Sequence, residues 1–121
     1  MSREVREIAT PELVTETEVR SGRIGVRLVG SAESVTREDL AAYLKAIDGV
    51  AVETEAAEVV FDLRALEFMS AACLRAVLAW LLEGERSPRY VARFVSDAKN
   101  HWQRRSLASL ASIGGERVRI D

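Results

Sequence analysis

The chain has 121 residues, a mass of 13.4 kDa and 17 basic against 19 acidic side chains, for a formal net charge of -2. This length admits one domain of ordinary size, and a hydrophobic fraction of 48% fills a single core without disulfide or metal staples. A sequence pI near 5.5 argues against a nucleic-acid binder, which gathers cations on one face to displace phosphate counterions. The charge is uneven along the chain: residues 1–60 hold 7 basic and 12 acidic side chains, residues 61–121 hold 10 and 7. Cys73 is the only cysteine, so no disulfide can form within the chain, and the composition fits a reducing, cytoplasmic setting. The opening MSREVREIATPELVTE is charged where a secretory signal needs an apolar run, and nowhere do about 20 apolar residues follow one another, so neither secretion nor a membrane span is expected.

Residues 1–10 are expected to be an additional edge strand or a loose terminus. Leu13 to Val19 and Arg23 to Val29 are rich in β-branched residues and flank Arg20-Ser21-Gly22, where glycine supplies the positive φ of a tight turn. Ile24, Val26 and Leu28 alternate with Arg23, Gly25 and Arg27, the pattern of an antiparallel hairpin with one buried face. Thr36 with Asp39 then offers a capping box, and Leu40, Leu44 and Ile47 recur at helical spacing as far as Asp48-Gly49. Glu58 to Leu63 reads as a strand whose Val59-Val60-Phe61 suits coverage on both faces. Ser70 can cap a helix in which Leu74, Val77, Leu78 and Leu81 form one stripe, ending near Glu83-Gly84. Tyr90 to Val95 is the next strand. Asn100 with Gln103 is a second capping pair, opening a helix that carries Trp102, Leu107, Leu110 and Ile113 to Gly114-Gly115, and Val118 to Ile120 is a last short strand. Pro11 and Pro88 lie outside these patterned segments, and no linker or repeat divides the chain, so residues 1–121 read as one domain. The order implies an α/β fold: a mixed β-sheet in which an N-terminal hairpin joins a parallel portion with right-handed crossovers, the alternating helices packed upon it.

That order, with VRLVGSAESVTREDLAAYL and VVFDLRALEFMSAACLRAVLAWL, resembles the STAS domain of anti-sigma-factor antagonists over about Leu13 to Ile120. The strongest pieces are Leu28-Val29-Gly30 before a helix, and the strand-turn-helix from Phe61-Asp62-Leu63 through Phe68-Met69. In that family the second piece continues Asp-Ser-Ser-Gly-Leu, the first serine being phosphorylated by a partner kinase; here it reads Ser70-Ala71-Ala72-Cys73-Leu74. The resemblance implies a STAS-like fold and regulatory partner switching with an anti-sigma factor or a kinase-like protein. The usual switch does not carry over, because Ala71 stands at the phosphorylated position and Ser70 replaces the preceding aspartate. A phosphoserine brings about -1.5 to -2 charges and three acceptor oxygens, and Ala71 cannot carry them.

At about 100° per residue the helix after Ser70 turns Ala72, Ala76, Ala79 and Trp80 away from the leucine stripe, and only Arg75 interrupts its apolar character before Glu83. A helix apolar almost all round is buried by its own domain or by a partner. Trp80 therefore has two readings, an anchor for a partner or a side chain packed beneath a neighbouring element. Joined to the resemblance, this makes Ser70, Ala71, Ala72, Cys73, Ala76, Ala79 and Trp80 the expected surface for a regulatory protein or a second copy of the chain. For Ser70 the simple alternative is an N-cap.

Other residue types are weaker guides. Cys73 falls in the first turn of a helix, where the dipole favours a thiolate, but a small buried side chain at the family's glycine position fits equally, and no resolving cysteine exists. His101 is the only histidine and needs undetected carboxylates to make a metal site with Cys73. Ser70, His101 and Asp62 or Asp97 can be written as a triad, yet no nucleophile elbow accompanies them, so no catalytic residue, metal or cofactor is expected. KNHWQRR, Lys99 to Arg105, mixes cations with an aromatic and suits phosphate or RNA contact, the plainer reading being solvated charges around a packed Trp102. The runner-up function is nucleotide or lipid sensing, reported for some STAS domains and helped by anion attraction at helix starts, though no Gly-rich phosphate loop precedes a helix here.

Overall fold

The computed structural model describes residues 5–84 and 90–121; Pro88 and residues 1–4 lie outside the described residues. The elements are β1 (Leu13–Arg20), β2 (Arg23–Ala32), α1 (Arg37–Glu53), β3 (Glu58–Asp62), β4 (Leu66–Met69), α2 (Ala71–Gly84), β5 (Val91–Val95), α3 (His101–Gly114) and β6 (Val118–Ile120). The hairpin forms as the alternation requires, β1 antiparallel to β2 from Leu13–Gly30 to Arg20–Arg23 around Gly22 at φ 75. From β2 the sheet continues through β3, β5 and β6, each parallel to its neighbour.

The path from β2 to β6 never reverses direction, so right-handed crossovers place all three helices on one face of the sheet. Burial follows: Ile24, Val26, Leu28, Val59, Phe61, Ala92, Phe94 and Val118 are buried, while the residues between them are not. This corrects the expectation that β3 is covered on both faces. Val60 lies half-buried on the open face, where Arg27 pairs with Glu16, and where Arg23 and Arg93 converge on Glu58 and Arg93 on Asp121. Three consecutive apolar residues had hidden a period of two. On the covered face Phe61 stacks on Phe94 at 5.0 Å and meets Trp80 edge-on at 5.3 Å, the arrangements favoured by the ring quadrupole.

One strand was not expected. β2 outruns β3, whose register with it ends at Arg27–Asp62, and β4 takes up the free edge at Gly30–Leu66, Ser31–Phe68 and Ala32–Met69 across a bulge. Gly30 makes this possible. Its φ is 108, and a Cβ there would overlap the carbonyl of Glu12, which accepts the Ser31 N–H at 2.7 Å.

Both expected capping pairs give way to tertiary contacts. The Thr36 hydroxyl donates to the Glu33 carbonyl at 2.6 Å within a 3-10 turn, and neither Thr36 nor Asn100 makes a side-chain cap. Gln103 instead turns inward: its Nε2 donates to the carbonyls of Leu63 and Leu66 at 2.7 and 3.1 Å, and its Oε1 accepts the Asp97 N–H at 2.8 Å. α1 runs past Gly49 to Glu53, because burying Val50 and Ala51 outweighs the roughly 1 kcal/mol cost of an interior glycine.

The segment before β1 is neither a full strand nor loose. Ile8 is buried, Ala9 makes a single bridge to Val14, and the Glu7 carboxylate accepts from the Thr15 hydroxyl and from the N–H and hydroxyl of Thr17. Thr17 passes the network to the Tyr43 hydroxyl of α1, and burial pushes the Tyr43 phenol up to about 12. The folded chain thus holds this proton more tightly than the unfolded chain. Its contribution is complete below pH 10 and is lost as pH rises towards about 12. Urea midpoints are expected to fall over that interval and to fall less in Tyr43→Phe; an identical alkaline loss in the variant would exclude Tyr43 as a source.

Candidate docking site at the start of α2

The site is built where β4 hands over to α2. The Ser70 N–H donates to the Ala32 carbonyl at 2.8 Å, which seats the residue on the end of β2. Its Oγ accepts the Cys73 N–H at 3.1 Å and its carbonyl accepts the Leu74 N–H at 2.9 Å, the geometry of an N-cap worth roughly 0.5 to 2 kcal/mol. Ser70 is only 7% exposed, so its hydroxyl is committed to the helix rather than offered to a partner. Ala71, the first residue of α2, is exposed.

Cys73 is fully buried, its thiol donating to the Glu33 carbonyl at 3.3 Å and lying 3.7 Å from the Thr36 hydroxyl. It ties α2 to the turn before α1 and presents no surface to a partner or an oxidant, which removes it from the expected docking residues. Trp80 is a second correction. It is 7% exposed and packs against Phe61 and Tyr90, so the buried stripe of α2 is Cys73, Val77, Trp80 and Leu81, with Leu74 and Leu78 only partly covered. The indole is too large to leave the aromatic centre of the sheet uncovered, and it draws the helix round towards itself. Ala72 and Ala76 are half-buried, and Ala76 and Ala79 line a groove opposite Ala41 and Ala42 of α1. Ala71, Arg75, Ala79 and Leu82 form the outer face of α2.

Two apolar residues beside the cap escaped the sequence reading. Val35, on the 3-10 turn that abuts α2, is 79% exposed, and Phe68 of β4 is 42% exposed. Val35 belongs to no periodic run; its flanking polar residues and the inward turn of Thr36 leave it facing out. The only sequence signal for Phe68 was its place in the Phe-Met pair before Ser70, and the four-residue strand is too short to show which way it points.

α3 closes the other side of the site. Asn100 Nδ2, Trp102 Nε1 and Gln103 Nε2 all reach the Leu66 carbonyl, at 3.4, 3.3 and 3.1 Å, fastening the helix start to the head of β4. His101 is exposed, and Trp102 half-buried over the interior. Asp62 accepts both Nε and Nη2 of Arg64 at 3.0 and 2.9 Å, which holds its carboxyl below the ordinary range despite partial burial. Ser70, His101 and the two aspartates are therefore each engaged elsewhere or exposed singly, with Asp97 accepting the Lys99 N–H. Among the described residues no group of three or more His, Cys, Asp or Glu is placed to hold a metal ion, and no helix is long and apolar enough to cross a membrane. The apolar cavity between the sheet and the helices, bounded by Leu28, Leu44, Phe61 and Trp102 among others, amounts to about 10 Å³, room for about one water.

No protein-family model matches the sequence, and no curated protein matches it. Solved structures do match the fold. An anti-sigma factor antagonist from Mycobacterium paratuberculosis aligns at a TM-score of 0.67 and 20% identity, covering 93% of this chain and 90% of that one. The chain has the STAS fold. The anti-sigma factor antagonist SpoIIAA in its unphosphorylated form aligns at 0.61 and 16% identity over 88% of this chain and 87% of its own. The Bacillus cell fate determinant SpoIIAA in its phosphorylated form gives the same score and identity, over 88% and 90%. On this STAS fold an N-terminal hairpin joins a mixed six-stranded sheet that carries three helices.

Proposed function

We propose that this chain is a non-catalytic, cytoplasmic regulatory module that docks a protein partner through the surface at the start of α2, centred on Val35, Phe68 and Ala71 and continuing along Ala72, Ala76 and Ala79. The partner is an anti-sigma factor or a kinase-like regulator, in keeping with the anti-sigma factor antagonists that share the fold. The observation that carries the reading is a set of exposed apolar residues around the helix cap, with no hydroxyl available at the switch position: Ala71 has none, and that of Ser70 is buried in the cap. An exposed Phe and an exposed β-branched residue flanking one helix start are the type of side chain that forms the water-excluded centre of an interface. Since no phosphate can be added at Ala71, docking at the first residue of α2 is not switched by a charge placed there.

The direct test is Val35→Asp with Phe68→Asp, both at exposed positions, in cells or lysate of the source organism. Loss of the co-purifying regulator by about a hundredfold, with an unchanged circular dichroism spectrum, is the expected result, since two central contacts of about 1–2 kcal/mol each are removed. Retention of every partner by a folded double variant would refute the site. Intact-mass measurement of the cellular protein is expected to show no phosphate on Ser70; stoichiometric phosphate there would mean that the cap opens and serves as the switch. A lipid or nucleotide reading draws no support from the interior, whose cavity holds about one water.

A further inference from the structure

Two groups of cations in this chain contrast in their pairing. On and beside the open sheet face Arg23, Arg27, Arg64 and Arg93 are each paired with a carboxylate. At the start of α3, Lys99, Arg104 and Arg105 are exposed, and among the described residues none of them is in an ion pair. From Ser96 to Gly115 the sole carboxylate is Asp97, which accepts the Lys99 backbone N–H. The first turn of α3 has no acidic residue, although acids there would stabilise the helix and cations oppose its dipole. Helix stability therefore does not explain these three cations in a chain of net charge -2.

Their position is informative. Asn100, Trp102 and Gln103, interleaved with the cations, all bond the Leu66 carbonyl, two residues before Phe68. Trp102 also shares the interior cavity with Met69 and Leu74, on either side of Ser70. Arg75, unpaired among the described residues, stands one helical turn beyond Ala71 on the same outer face of α2.

We propose that Lys99, Arg104 and Arg105 form the electrostatic half of the docking face and select a protein partner whose contacting segment carries carboxylates beside apolar side chains. The inference rests on the docking reading and adds the partner's chemistry to it. Complementary charge at the rim steers encounter and rejects basic competitors, while Val35 and Phe68 supply the dry centre. RNA fits less well: the chain carries a net charge of -2, and of the Trp102 indole, half-buried and held by its N–H to Leu66, only the side beside His101, Arg104 and Arg105 is open.

The test uses the whole chain, 15N-labelled, titrated with a synthetic amphipathic peptide of Glu, Leu and Ala, with a Lys, Leu and Ala peptide of equal length as control. Amide shifts are expected at residues 99–105 and 67–71 with the acidic peptide alone, and affinity is expected to fall about tenfold or more between about 50 and 300 mM NaCl. Arg104→Glu with Arg105→Glu is expected to weaken binding at least about tenfold while leaving the melting temperature unchanged or higher, and Arg119→Glu, an exposed charge on β6, to leave binding unchanged. If Phe68→Ser releases the peptide and the double reversal does not, the docking face stands and the acidic-partner inference falls. If neither variant releases it, both fall. Tighter binding of poly(U) RNA or of phosphatidylglycerol vesicles than of the acidic peptide would also overturn the proposal.

Discussion

Trp80→Ala is expected to lower the free energy of unfolding by about 3–5 kcal/mol, the range for emptying an aromatic site in a packed core. The indole lies edge-on to Phe61 and against Tyr90, so its removal opens a cavity where α2 meets the sheet. Against a total stability of roughly 5–15 kcal/mol, such a loss leaves a marginal domain. Urea titration followed by circular dichroism measures it directly. Ala79→Arg, one residue earlier on the exposed face, is expected to stay within about 0.5 kcal/mol of wild type. The pair separates two roles that look alike on paper: Trp80 acts through folding, Ala79 only through what binds. Trp80→Phe should cost less than Trp80→Ala, because a phenyl ring fills most of the space that alanine leaves empty, and the indole N–H lost in either variant is buried without a partner. A wild-type urea midpoint for Trp80→Ala would contradict the core assignment.

Gly30→Ala is expected to be the most damaging single-methyl change, by about 2–3 kcal/mol or more. A φ of 108 is strained for any side chain, and the new Cβ must displace the Glu12 carbonyl. The damage should travel to the docking site. Gly30 to Ala32 is the edge on which β4 pairs, and the Ala32 carbonyl holds the Ser70 N–H. Native-state hydrogen exchange should therefore quicken at Ser31 and Ser70 before it quickens in β3 or β5, since the β4 end can open without the centre of the sheet. Protection at Ser70 equal to wild type would show that β4 does not depend on this glycine.

Much of the fold was legible because most of its elements carry their own period. The hairpin alternates, α2 and α3 repeat leucines at helical spacing, and β5 is a short apolar run between breakers. β4 was not legible: Leu66 to Met69 are strand residues only because β2 extends past β3 and leaves an edge to fill. The capping pairs failed for a related reason. Thr36 and Gln103 have the chemistry of caps, but nearby carbonyls of Glu33, Leu63 and Leu66 compete for their side chains, and those carbonyls come close only after the chain has folded.

At the site the division is sharper. The composition argued against a polyelectrolyte partner, the single cysteine excluded an internal disulfide, and the letters Ser70-Ala71 placed a cap next to a side chain without a hydroxyl. These conclusions need only side-chain chemistry. The tertiary structure decided which way each apolar residue faces: Trp80 and Cys73 inward, Phe68 and Val35 outward. On a helix apolar nearly all round, and on a strand of four residues, the periodic signal that assigns faces is absent, so only the sheet beneath and the turns beside them could choose. The near-neutral total of 17 basic and 19 acidic residues likewise concealed its arrangement, with arginines neutralised on the open sheet face and cations left unpaired at the start of α3.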